Sequence, residues 1–117
     1  MATDGTIESG LFAKELEAAG ITPVVPSADG QRAVMHLIYK NIKAGKEPDM
    51  EKFHFVRDEL FSLGAKAIIL GCTELSLIKR DHQVGGGFID VMEVLARQSL
   101  VKCGKTVKTE FNNLITL

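Results

Sequence analysis

The chain reads as an α/β protein, a parallel sheet flanked by helices, and three observations predict it. Helical periodicities alternate with short β-branched runs along the whole sequence. The run Ala65-Lys66-Ala67-Ile68-Ile69-Leu70-Gly71 is apolar through its core instead of alternating, the pattern of a parallel strand covered on both faces. Glycines stand where successive helices should end, at Gly20, Gly45 and Gly64.

Taken in order, Gly5 to Ala19 reads as a first helix, with Ile7, Leu11 and Leu16 able to share a face. Ile21 to Val25 is a short β-branched run closed by Pro26 and reads as a strand. Ser27 or Asp29 can cap a second helix, in which Val34, Leu37, Ile38 and Ile42 recur at helical spacing up to Gly45. A third helix begins near Pro48 and Asp49 and carries an apolar stripe of Phe53, Val56, Leu60 and Leu63. After the apolar strand, Thr73 to Lys79 reads as a short helix. Gly85-Gly86-Gly87 makes a loop, Phe88 to Asp90 a small strand, and Val91, Val94, Leu95 and Val101 mark a last helix. The opening Thr3-Asp4-Gly5-Thr6 has the look of a strand's end. Residues 1–104 form the expected domain and 105–117 a polar tail, with no internal repeat or low-complexity linker.

A length of 117 residues suits one small domain, and a formal charge of -1 gives no electrostatic reason to expect nucleic acid or an acidic membrane surface. No apolar run is long enough to span a bilayer, and the acidic start is unlike a signal peptide. Two cysteines, Cys72 and Cys103, are too few for a disulfide scaffold, so free thiols in a reducing cytoplasm are expected.

Cys72 follows Gly71 at the carboxyl end of the most apolar strand, where open α/β sheets bind ligands. Thr73 and Glu74 open the next helix, so unpaired backbone N–H groups should face the same spot and lower the thiol's proton affinity. Gly71 would let a substrate approach the backbone closely. Position alone leaves two readings, a reactive thiol or a small buried hydrophobe. Glu74 could act as an acid or base beside the thiol, or merely complement the helix dipole. Thr6 and Ser9 could bind an anion or cap the first helix. Lys43, on a helix, would ordinarily be solvated.

Other thiol signatures fail. Leu75 stands where a redox pair needs its second cysteine, Arg80 lies two positions beyond where a phosphatase loop needs arginine, and Glu74 replaces the glycine of a nucleophile elbow. Gly104-Lys105-Thr106 echoes a phosphate loop, but Ser99 occupies its first glycine. His36, His54 and His82 have no metal-ligand spacing, so no metal site is expected. Cys103 lacks the context of Cys72 and reads as structural.

Four stretches together resemble the aspartate/glutamate racemase family, the aspartate racemase branch in particular. They are Ala2-Thr3-Asp4-Gly5-Thr6-Ile7-Glu8-Ser9-Gly10, Ile38-Tyr39-Lys40-Asn41-Ile42-Lys43-Ala44-Gly45, Ile69-Leu70-Gly71-Cys72-Thr73-Glu74, and Phe88-Ile89-Asp90 running into Glu93-Val94-Leu95-Ala96. Glutamate racemases typically carry histidine after the Cys-Thr pair, so Glu74 points to the aspartate side. Phe12 stands where tyrosine is common, and Val91 where proline often follows Ile-Asp.

The resemblance implies a cofactor-independent racemase of two similar α/β lobes, each giving one cysteine: one thiolate removes the α-proton and the opposite thiol returns one to the other face. Only the C-terminal lobe is matched, with the partner cysteine in the lobe that precedes it in the family. Cys72 then matches the catalytic cysteine, Thr73 and Thr6 substrate-carboxylate contacts, Lys43 a partner for the side-chain carboxylate, and Glu74 and Gly71 supporting positions. The implied partner is a small amino acid or dicarboxylate, aspartate favoured, with hydantoin and maleate chemistry left open. A homodimer through an exposed lobe interface could supply the second thiol. The alternatives are an inactive dicarboxylate-binding remnant and an interaction module.

Overall fold

A computed structural model describes all of residues 1–117. Its order is α1 (Asp4–Glu8), α2 (Leu11–Ala18), α3 (Ala28–His36), α4 (Met50–Ser62), β1 (Ile68–Leu70), α5 (Thr73–Asp81), β2 (Phe88–Asp90) and α6 (Val91–Lys102). The two strands pair in parallel with Ile68 opposite Phe88, Ile69 opposite Ile89 and Leu70 opposite Asp90. The α/β class expected from the alternation is the one observed. No helix is long and apolar enough to cross a membrane.

The core lies on one face of this sheet. Strand side chains alternate between faces, and Ile68, Leu70 and Phe88 join Val34, Leu37, Ile38, Phe53, Val56, Leu60, Leu75 and Ile78 in one buried cluster. Phe53 stacks on Phe88 with ring centroids 5.4 Å apart. Polar caps fix where the surrounding helices start. Ser27 Oγ accepts from the Gly30 N–H, Asp49 from Lys52 and Asp90 from Met92, each satisfying an otherwise orphaned donor. After His36 the helix widens into a π-turn over Leu37–Asn41 and tightens into a 3-10 turn over Ile42–Ala44. Gly45, at φ 68°, ends it as the sequence predicts.

Several expectations are corrected. The first helix is two, because Gly10 adopts φ 65° between Glu8 and Leu11, and Leu11 is left exposed. Thr3 caps α1, accepting from the Thr6 N–H, whereas Ser9 ends it. Ile21 to Val25 forms no strand: Pro23 removes a donor from its middle, no neighbouring strand pairs with it, and Ile21 and Val25 are exposed. Leu63 lies at the open end of α4, and Leu95 and Val101 are exposed on α6, which buries no residue.

The second face of the sheet is only partly covered. Ile69 and Ile89 look into a cavity of about 550 Å³ whose other walls come from α1, α2 and residues 21–26. At its end the Met1 amine donates to the Ile69 carbonyl at 2.8 Å, and the Met1 carbonyl accepts from the Gly71 N–H at 2.8 Å. The Gln31 amide ties this segment to α3, donating to the Ala2 carbonyl and to Asp4. Residues beyond Lys105 return to the free edge of β2, where Ile115 bridges Ile89 in antiparallel fashion.

Candidate active site at the carboxyl end of the first strand

Leaving β1, the backbone stays extended through Cys72 and then turns into α5, with Cys72 at the N-cap. Its carbonyl accepts from the N–H groups of Leu75 and Ser76 at 3.1 and 3.2 Å. The helix start therefore fixes the cysteine backbone, and the thiol, half-buried against the core, is left to meet side chains.

Those side chains gather around Glu74. Its Oε2 accepts from Cys72 Sγ at 2.8 Å and from Thr73 Oγ1 at 2.9 Å. Its Oε1 lies 3.7 Å from Lys43 Nζ, and that ammonium sits 4.5 Å from the centroid of the Tyr39 ring, a cation–π distance. The π-turn and the 3-10 turn together bring Tyr39 and Lys43 onto the side of the helix that meets α5. Cys72, Thr73, Glu74 and Lys43 thus form one cluster.

The electrostatics run against the sequence expectation for the thiol. Burial raises the proton affinity of Cys72, and the hydrogen bond it gives to the Glu74 carboxylate raises it further. The Glu74 N–H and the Lys43 charge pull the other way and do not prevail. Glu74 is shifted down, chiefly because the thiol donates to it, with Thr73 and Lys43 assisting. The resting pair is therefore a neutral thiol on an ionised carboxylate. A helix start favours a thiolate, but here an acidic side chain in the first turn has turned back onto the sulfur.

Thr6 and Gly71 sit differently. The Thr6 hydroxyl pairs with Thr3 Oγ1 at 2.9 Å, it lines the apolar cavity, and no hydrogen bond joins it to Glu74 or Cys72. A Cβ on Gly71 would lie 3.2 Å from Ala2 Cβ and 3.3 Å from the Met1 carbonyl. The side of Gly71 expected to admit substrate is thus packed by the N-terminal segment.

Sequence reasoning missed Ser76, Asp90 and Tyr39. Asp90 is buried and accepts from Ser76 Oγ at 2.6 Å and from the Met92 N–H at 2.9 Å. Through Ser76, which also donates its N–H to the Cys72 carbonyl, the carboxylate of Asp90 braces the first turn of α5 against β2. The spacing of Ser76, four residues after Cys72 and therefore stacked on it in a helix, was the available signal. Tyr39 stands four residues before Lys43, the same spacing. Cys103 is exposed at the end of α6, and no group of three or more histidine, cysteine or acidic side chains could hold a metal ion.

In a comparison with models of known protein families, residues 1–99 match the one described as Asp/Glu/hydantoin racemase.

Proposed function

The chain belongs to the Asp/Glu/hydantoin racemase family, and on that premise we propose that it is one lobe of a cofactor-independent amino-acid racemase, with aspartate as substrate and Cys72 as an acid/base on one face of the α-carbon. The observation that carries this reading is the thiol–carboxylate pair, Cys72 Sγ on Glu74 Oε2 at 2.8 Å. A proton-transfer catalyst needs a group that holds a proton at rest, reaches the substrate carbon and can be switched between its two forms. A neutral thiol beside an ionised carboxylate has that character.

Glu74 also supplies the switch. In the free molecule it engages the Thr73 hydroxyl and faces the Lys43 ammonium, the two groups best suited to a substrate carboxylate. An incoming dicarboxylate competes for both donors and draws Lys43 towards itself. Cys72 then gives its proton to the carbanion at Cα, and the proton returns from the α-C–H when the reaction runs the other way. Negative charge developing on the substrate is held by the ammonium, the hydroxyl and the N–H groups that open α5.

Racemisation needs a second acid/base on the opposite face, and Cys103 lies outside the cluster. On this reading a complementary lobe or another copy of this chain supplies it. Chiral chromatography of L-aspartate incubated with the protein tests the proposal. D-Aspartate should form in the wild type and fall to the blank with Cys72→Ser. If two copies share the work, the rate per chain rises with protein concentration. Product formation unaffected by Cys72→Ser would remove the cysteine from the mechanism.

A further inference from the structure

Lys43 is held beside the cluster without donating a hydrogen bond to it. Its Nζ lies 3.7 Å from Glu74 Oε1, beyond hydrogen-bond reach. Elsewhere in the chain a lysine facing a carboxylate closes on it, as Lys52 does on Asp49 and Lys79 on Glu93. The Lys43 ammonium stands instead 4.5 Å from the centroid of the Tyr39 ring. The face of an aromatic ring attracts a cation through its quadrupole, with no lone pair for the N–H groups to engage. The donors of Lys43 therefore have no protein acceptor. They stand beside Oε1, the Glu74 oxygen that neither Cys72 nor Thr73 uses.

Both partners of this contact lie at the rim. Tyr39 is 46% exposed and the Lys43 side chain equally so, whereas the Glu74 side chain is 15% exposed. Without the ring, an ammonium on a flexible four-carbon stem has two alternatives. It can swing into water, and then the side chain must be ordered again before it can meet a ligand. Or it can close the remaining distance onto Glu74 Oε1 and engage its donors on the protein's own carboxylate. Either outcome weakens its hold on a ligand carboxylate. The contact is made by the ring face, not by the Tyr39 hydroxyl.

We propose that Tyr39 is a positioning residue that gives the site its selectivity for dicarboxylates. Its ring parks the Lys43 ammonium near the cluster but short of Glu74, with its donors ready for the second carboxylate of a ligand. This role rests on the assignment of Lys43 to a substrate carboxylate and extends it to the residue that prepares the lysine. A monocarboxylate held by Thr73 and the N–H groups that open α5 gains nothing from the arrangement. A cation–π contact at an exposed site corresponds to about a two- to five-fold change in affinity.

The test titrates the 15N-labelled chain with L-aspartate and with L-alanine, which lacks the second carboxylate, and follows the Thr73 and Glu74 amides. Tyr39→Leu should weaken L-aspartate binding about two- to five-fold and leave L-alanine binding where it was. Tyr39→Phe keeps the ring and should bind L-aspartate as the wild type does. In a Lys43→Ala background, Tyr39→Leu should have no further effect. Without ligand, the ring-current shifts of the Lys43 side-chain protons should persist in Tyr39→Phe and vanish in Tyr39→Leu, in a spectrum otherwise in place. Equal loss for both ligands would overturn the proposal in favour of a general structural role. A loss that persists without Lys43, or one that Tyr39→Phe does not restore, would overturn it in favour of a direct contact between Tyr39 and the ligand. Unchanged L-aspartate affinity in Tyr39→Leu, or no L-aspartate shift at any concentration, would overturn it outright. The expected binding pattern without Cys72-dependent α-deuteration would instead overturn the racemase reading, leaving Tyr39 to position Lys43 in a dicarboxylate-binding site.

Discussion

At the scale of single residues, the chemistry turns on which group holds the proton between Cys72 and Glu74. Burial and the carboxylate raise the thiol's affinity, and Lys43 opposes them. Two substitutions should therefore move it in opposite directions. Measured by the pH dependence of iodoacetamide labelling in a Cys103→Ser background, the Cys72 midpoint should fall with Glu74→Gln and rise with Lys43→Ala. Shifts in the same direction would show that Glu74 does not hold the thiol proton. The position of Cys72 at a strand-to-helix junction was legible in the sequence, because an apolar run followed by Gly-Cys-Thr-Glu has few other structural outcomes. The direction of its shift was not. It depends on the rotamer of Glu74, which can point to solvent, to the helix dipole or back onto the sulfur, and residue spacing does not choose among these.

At the scale of elements, the first turn of α5 is locked to β2 by Asp90 through Ser76. Asp90→Ala removes the cap of α6 and the acceptor of a buried hydroxyl together, and should cost about 2–4 kcal/mol in urea unfolding. Ser76→Ala loses one hydrogen bond and should cost about 1 kcal/mol. Phe53→Ala, which empties the space against Phe88, should cost about 3–5 kcal/mol. Equal effects of the Asp90 and Ser76 substitutions would mean that capping of α6 contributes nothing. The helix running from α3 into the π-turn and the helix α4 were legible because most of their apolar stripes are buried where their period places them, as with Val34, Leu37 and Ile38 or Phe53, Val56 and Leu60. Residues 21–25 and the stripe of α6 misled for one shared reason: apolar patterning states that a segment can be buried, while burial also requires a neighbouring element to cover it.

At the scale of the whole molecule, the N-terminus joins the sheet, and this makes the stability of the 117-residue chain depend on pH. Desolvation pushes the Met1 amine down from 8.0 to about 6. Between these values the unfolded chain binds more protons than the folded one, so stability rises with pH from about 6 to 8 and is lost as pH falls through the folded value. The two-unit difference corresponds to at most about 3 kcal/mol. Urea unfolding midpoints across that range should show the slope, and acetylation of the amine should remove its contribution. The central claim, that Cys72 transfers protons at the α-carbon of an amino acid, is tested most directly by incubating the protein with L-aspartate in D2O and following the α-proton by NMR. The account predicts deuterium at Cα, lost with Cys72→Ser. Exchange with retained configuration would place the thiol at work without its partner on the opposite face. Exchange that survives Cys72→Ser, or none at any protein concentration, would contradict the claim.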